Sequence, residues 1–269
     1  MDKELIPIRQ RIADLLETAE RQSQPRCSHF LSPAEQGAAE VAARREGWSG
    51  ITQDSAGWVF HGGVPGAERR RFCVIPFAPG TEDPEEWIDL SKRFCVVEIW
   101  TSPQAGPGPG HRDILGAVLA CGIRRDFVGD IAADSARGLA WIVLDPSVLD
   151  TVLTSVDRIG RCAVRLRAVP LEQYPAGEDL QEKERITGTV ATPRLDAVLA
   201  LAFRLSRSDA AEHIHSGDVQ LNWIVCTDPD KLLSQGDRIA LRGRGKAVLA
   251  EMGGHSRKGR QFIAADRFR

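Results

Sequence analysis

An α+β fold in three modules is what this 269-residue sequence predicts. Three observations carry that reading. Between Phe94 and Val169, apolar strand-like and helix-like runs follow one another in the order β-α-β-β-α-β. Ahead of that stretch, amphipathic helical patterns flank a hairpin pattern. Beyond it, two short helical patterns precede several strand-like runs. The boundaries that result are 1–76, 77–180 and 181–269.

The bulk composition sets limits before any element is placed. With 42% hydrophobic and 27% charged residues, the chain has an ordinary globular balance. Its N-terminal stretch, "MDKELIPIRQRIADLLETAERQ", is a polar amphipathic helix without the apolar centre of a secretion signal. No apolar run is long enough to span a bilayer, so neither export nor a membrane is expected. The six cysteines (Cys27, Cys73, Cys95, Cys121, Cys162, Cys226) are scattered and form no C-x-x-C pair. That spacing argues against a disulfide framework or a zinc site and for a reducing cytosol.

In the first module, Leu5, Ile8, Ile12, Leu15 and Leu16 fall at helical spacing. "SPAEQGAAEVAARREG" reads as a second helix. Ser32 can cap it, Pro33 suits its first position, Glu35 completes a capping box and Gly47 ends it. "GWVFHGGVPGAERRRFCVIPF" reads as a hairpin, two apolar runs around a Gly/Pro turn. Arg69, Arg70 and Arg71 sit beside the turn, either as an RNA contact or as an exposed charged edge.

The middle module follows "APGTEDPEE", a linker or helix start. "FCVVEIW" is a strand, "HRDILGAVLACG" a helix, "GDIAAD" and "LAWIVL" strands joined by "DSARG". "DPSVLDTVLTSV" is a helix with Asp145 as its cap, and "CAVRLRAV" closes as a strand. That order is the split βαβ, or ferredoxin-like, plan shared by RNA-recognition domains and many others. The aromatic strand motif of a standard RNA-recognition domain is missing, which argues against base stacking in the usual way. Asp113 at the helix start and Arg124 and Arg125 past Gly122 complement the helix dipole. With no nucleophile nearby, His111 and these charges read as scaffold with a charged rim.

Charge separates the last module from the rest. The formal net charge is −2, yet Arg185 to Arg269 holds fourteen Lys/Arg against nine Asp/Glu. From Arg242 onward there are eight basic residues and only Glu251 and Asp266 as acids. A basic end on an acidic body points to a polyanionic partner. "EDLQEKERITGTV" reads as a charged linker into it. Leu195, Val198, Leu199 and Ala202 then mark one helix. Ser206 caps a second, and Gly217 stops it. "VQLNW" and "GDRIALRGRGKAVL" extend as strands. The helix starts carry Arg194 and Arg207, and helix starts with Arg forks suit phosphate oxygens. His213 and His215 lie two apart and share no helix face, which excludes a metal pair.

Taken together, Arg194-Leu195-Asp196, Ser206-Arg207, Ile214-x-x-Gly217-x-Val219, Asn222 and Gly236-Asp237-x-Ile239 resemble the S4 RNA-binding domain. Longer stretches extend the likeness. "FLSPAEQ", "GAERRR", "HRDILGAVLACGIRRDFVGDI", "LTSV", "RLDAVLA", "GDRIALRGRGK" and "SRKGR" occur in the order seen in YlmH-type proteins, over most of the chain. The resemblance implies a small N-terminal α/β domain, an RNA-recognition-like middle domain, and a C-terminal S4 α-L domain with a basic tail. It further implies a bacterial cytoplasmic protein that binds large-subunit rRNA and tRNA. Such a protein holds peptidyl-tRNA in the quality control of stalled complexes, with a looser link to cell division. No cofactor or metal is implied.

The expected RNA-binding residues are Arg194, Ser206, Arg207, Ser208, His215, Asn222, Arg242, Arg244, Lys246, Arg257, Lys258 and Arg260. His111, Arg112, Arg124 and Arg125 form an expected second surface. The sequence departs from the family where His215, Asp218 and Gln220 stand at positions that tend to be Lys or Arg, with the later basic residues as the compensation. Two alternatives remain beside a non-enzymatic RNA binder. An S4-bearing RNA-modifying enzyme is the first, but Asp196 lies within the binding helix rather than in a pseudouridine-synthase motif. The prolines of "GPGPG" also remove the N–H donors that a methyltransferase turn needs. A cell-division adaptor protein is the second.

Overall fold

The apolar spacing of the first helical pattern is realised in α1 (Ile6–Gln22), where Ile8, Ile12, Leu16 and Ala19 are buried. The computed structural model describes residues 6–81, 84–101, 107–175, 183–256 and 259–268; Leu5 lies outside them. The chain divides into two units, Met1–Leu180 and Gln181–Arg269.

In the first unit, α1 is followed by β1 (Arg26–Leu31), α2 (Pro33–Arg45), β2 (Gly57–His61) and β3 (Arg70–Ile75). The strands form an antiparallel sheet in the order β1-β3-β2, and both helices pack on Leu31, Phe72 and Val74. The capping box at α2 forms as its sequence dictates. Ser32 Oγ accepts from Glu35 N at 3.4 Å, and Glu35 Oε2 accepts from Ser32 N at 2.7 Å. Gly47 follows the helix at a left-handed φ of +82°.

Two expectations fail in this unit. Cys27 and Cys73 stand directly opposite on β1 and β3, with Cα atoms 4.1 Å apart, and are joined as a disulfide. A separation of 46 residues hides a pair that only strand register brings together. Nor do the three arginines form an exposed edge. Arg71 is 4% exposed, paired with Asp145 and stacked between Phe30 and Phe94 at 4.6 and 5.2 Å from their centroids. Arg69 turns inward as well, donating from Nε to the Val128 carbonyl at 2.9 Å. The backbone amides of Glu68 and Arg69 donate to the Asp130 carboxylate at 2.6 and 2.9 Å. Only Arg70 stays exposed, its Nε bonded to Gln36 Oε1 at 3.0 Å.

The rest of this unit comprises α3 (Leu90–Arg93), β4 (Cys95–Thr101), α4 (His111–Ala120), β5 (Val128–Asp134), β6 (Leu139–Leu144), α5 (Leu149–Ser155), β7 (Arg158–Ile159) and β8 (Cys162–Val169). The sheet order β5-β6-β4-β8-β7, with every pairing antiparallel, is the ferredoxin-like arrangement plus one short edge strand. Asp145 caps a single 3₁₀ turn, accepting from Ser147 N at 2.9 Å, and α5 starts only after it.

The second unit opens on β9 (Lys183–Val190), where the sequence reads as a linker. Its charges mislead because they are partners across the sheet surface. Arg185 bonds Asp266 at 2.9 Å, and Glu184 pairs with Arg204. After it come α6 (Leu195–Phe203), α7 (Arg207–His215), β10 (Val219–Leu221), β11 (Ile224–Val225), β12 (Arg238–Leu241), β13 (Gly245–His255) and β14 (Gln261–Phe268). The six strands run in the order β11-β10-β12-β13-β14-β9. The expected basic tail is therefore largely the β13–β14 hairpin, whose Ala247, Leu249, Ile263 and Ala265 enter the core beneath α6 and α7.

Breaking the Arg71–Asp145 pair leaves a largely buried carboxylate with only its Ser147 bonds and no cation. Arg71→Met should cost the first unit about 3–5 kcal/mol in urea unfolding. Burial pushes the Asp145 carboxyl up, but hydrogen bonds from Ser147 and Arg71 outweigh it and hold the group below its ordinary 3.8. A carboxyl depressed in the fold stabilises above its unfolded pKa and stops doing so as pH falls through the folded one. Stability should therefore drop as the medium is acidified below 3.8, and Asp145→Asn should flatten that drop.

Candidate nucleic-acid interface

The starts of α6 and α7 meet at one carboxylate. Asp196, in the first turn of α6, is 5% exposed. It accepts from Arg194 Nε and Nη2 at 3.3 and 3.2 Å, and from Arg207 Nη2. Arg194 also pairs with Asp230. A guanidinium has five donors, so both arginines keep outward N–H groups while their inner edges are fixed. Ser206 caps α7, its Oγ accepting from Asp209 N at 3.0 Å, and lies 2.8 Å from Ser208 Oγ. The start of α6 is not an open anion site. Its Leu195 and Asp196 amides donate to the Lys231 and Pro229 carbonyls at 2.8 and 3.1 Å.

Beside this junction lies a groove of about 580 Å³ with Ala197, Ala200 and Leu201 on its floor. Arg194, Arg204, Arg207 and Arg260 stand around it. Arg260 is fixed by bonds from Nη2 to the Thr189 carbonyl at 2.6 Å and from Nε to Thr189 Oγ1 at 3.2 Å. Arg204 is the residue that the motif reading misses. It holds a left-handed φ of +53° at the end of α6. Its signal was positional: Arg194, Ala197, Leu201 and Arg204 recur at helical spacing on one stripe.

The other expected residues are elsewhere. Arg242 is 85% exposed in its side chain and 3.9 Å from Asp218. Arg244 is exposed on the β12–β13 turn, and Lys246 Nζ sits 5.1 Å over the Phe268 ring. His215 is exposed at the end of α7. Asn222 has its amide committed: Nδ2 donates to Asp237 Oδ1 at 2.8 Å, and Oδ1 accepts from Arg238 N at 2.9 Å. Its φ of +47° suits an Asn in a tight turn. Arg257 and Lys258 lie outside the described residues.

On the expected second surface, His111 and Arg112 are exposed at the start of α4, and Arg124 is exposed while bonding Asp126. Arg125 is not a rim residue. Its guanidinium bonds the Val128 carbonyl, and burial pushes its pKa down to about 10.

The paired-helix, strand-rich unit with its arginine-lined groove is similar to S4 domains: the S4 domain model matches residues 193–239. A second model, the putative RNA-binding domain in YlmH, matches residues 109–173, so the resemblance to YlmH-type proteins is borne out. The chain is 28% identical over 222 residues to the Ribosome-associated protein quality control protein P2 of Bacillus subtilis (strain 168), across 80% of this chain and 79% of that protein. Among solved structures, the cell division protein ylmH from Streptococcus pneumoniae is 18% identical. It has a TM-score of 0.49 and covers 65% of this chain and 96% of that one.

Asn222 tests whether turn and groove are separate. Asn222→Gly keeps the left-handed turn accessible but removes both side-chain bonds. The second unit should lose about 1–2 kcal/mol in denaturant unfolding. RNA affinity measured well below the melting temperature should stay within twofold of the unmodified chain, roughly the scatter expected for a residue outside the interface.

Proposed function

We propose that this chain is a non-enzymatic, cytoplasmic RNA-binding protein of the large ribosomal subunit. In this reading it grips rRNA and peptidyl-tRNA during quality control of stalled complexes. The observation that carries the reading is the Asp196 junction, a buried carboxylate that fixes Arg194 and Arg207 on one rim of the groove. Fixed forks lose little side-chain freedom on meeting a phosphate. Arg204 and Arg260 add two further cations around the same groove. The two RNA-binding domain matches and the name of the Bacillus subtilis relative support the choice of ribosomal RNA as partner. Arg242 and Arg244 on the β12–β13 turn and Lys246 at the start of β13 serve in this reading as a second phosphate contact.

The test is binding to purified large subunits and to tRNA across a salt series. Each neutralised phosphate releases counterions, so affinity should fall steeply with salt. Arg207→Ala should cost roughly 1–3 kcal/mol and make the log–log salt slope shallower by about one. Arg207→Lys should recover only part, because an ammonium cannot replace the fork. A flat salt response, or subunit co-sedimentation that survives RNase, would remove RNA as the partner.

A further inference from the structure

The ferredoxin-like sheet has two faces, and its core assigns them. Val97 and Ile99 of β4 enter the apolar cluster beneath α4 and α5. Val96, Glu98 and Trp100 therefore share the opposite face, because strand side chains alternate. On β8, Val164 and Leu166 pack into the same cluster, which puts Arg165 and Arg167 on that opposite face too. Register sets Trp100 level with Arg165, and Glu98 level with Arg167.

Among the described residues, this face is covered at one end only. Val96 is buried there with Phe30 and Phe94. At the other end Trp100 is 40% exposed, with the Arg165 guanidinium 5.9 Å from its ring centroid. The nearby acids are already answered: Glu98 accepts from Arg167 Nε at 2.6 Å, and Asp134 lies 3.5 Å from Arg137. Arg165 has its ring contact and, among the described residues, no carboxylate partner.

We propose that this open half of the sheet is an RNA site distinct from the groove. An unpaired base of a single-stranded segment stacks on Trp100, and Arg165 takes the adjoining phosphate. The proposal rests on the RNA-binding reading above but not on the Asp196 junction. Aromatic rings on open sheets stack unpaired bases, and stacking tolerates any base. Duplex RNA does not fit, since its bases are stacked on each other. Leu139 borders the ring on β6, but Arg165 on its β8 side gives the face a cation that an RNA segment answers better than an apolar protein partner does. The missing aromatic strand motif does not forbid the site: Trp100 offers the same plane without it.

The test uses the full chain, labelled oligouridine and purified large subunits, with anisotropy as the readout and melting curves to show each variant is folded. Trp100→Leu should weaken oligouridine binding about tenfold, within the span of single-base stacking. Trp100→Phe should keep most of the affinity, and Arg165→Ala should lower both affinity and salt dependence. The proposal fails if the unmodified chain ignores oligouridine. It also fails if Trp100→Leu binds like the unmodified chain, or if Phe is as poor as Leu. Should Trp100→Leu not fold, an unchanged Arg165→Ala overturns the proposal by itself. Arg207→Ala run in parallel separates the two sites. Subunit binding lost only there leaves the groove standing without the sheet site, and oligouridine binding lost only with Trp100 does the reverse.

Discussion

Several arginines of this fold are placed by a buried or half-buried carboxylate. Asp196 draws Arg194 and Arg207 to one point, so two helix starts share a single anchor. Asp145 draws Arg71 out of solvent and into an aromatic clamp between the two sheets of the first unit. Asp130 takes the amides before β3 and so sets where Arg69 can reach. A carboxylate drawn out of water is expensive without a partner, so buried Asp196 and half-buried Asp145 and Asp130 direct their partners more firmly than exposed ion pairs do. Arginines answered from inside the fold become scaffold or fixed forks. Among the described residues, Arg242 on the β12–β13 turn has only a long, exposed pairing with Asp218.

That rule explains what was legible in the sequence. Local chemistry came through: the capping box at Ser32 and Glu35, the Gly47 and Gly217 stops, and the β-α-β-β-α-β order all depend on neighbours within a few residues. The misreadings came from partners distant in sequence. Arg71 lies 74 positions from Asp145, Cys27 lies 46 from Cys73, and Arg185 of β9 is matched 81 positions away by Asp266. A charge run reads as solvated linker until the opposing strand is known. Asn222 stands between these cases. The motif that flags it is real, and its amide is already engaged in holding a turn.

The identity of the basic residues matters as much as their number. Of 35 basic residues, 29 are arginine. A lysine bonded to Asp196 would spend a compact charge there. An arginine can give its inner edge to a carboxylate and still present N–H groups outward. Pairing with an acid therefore leaves Arg194 and Arg207 with outward N–H groups and fixes their direction. The same geometry limits their charge contribution, since Asp196, Asp230 and Glu184 offset part of the rim. Affinity from such a groove depends on direction and fit more than on net field.

The two surfaces therefore call on different physics. Around the groove, fixed guanidinium forks surround a floor of Ala197, Ala200 and Leu201, too shallow in side chain to stack a base. On the sheet, a single ring with one adjacent cation can take a base plane but few phosphates. Phosphate contacts weaken with salt through counterion release, whereas stacking on an aromatic is largely indifferent to it. A protein equipped with both can hold a folded RNA by its backbone and an unpaired segment by its bases, each over a different range of ionic strength. Neither task asks for a nucleophile, a general base or a metal.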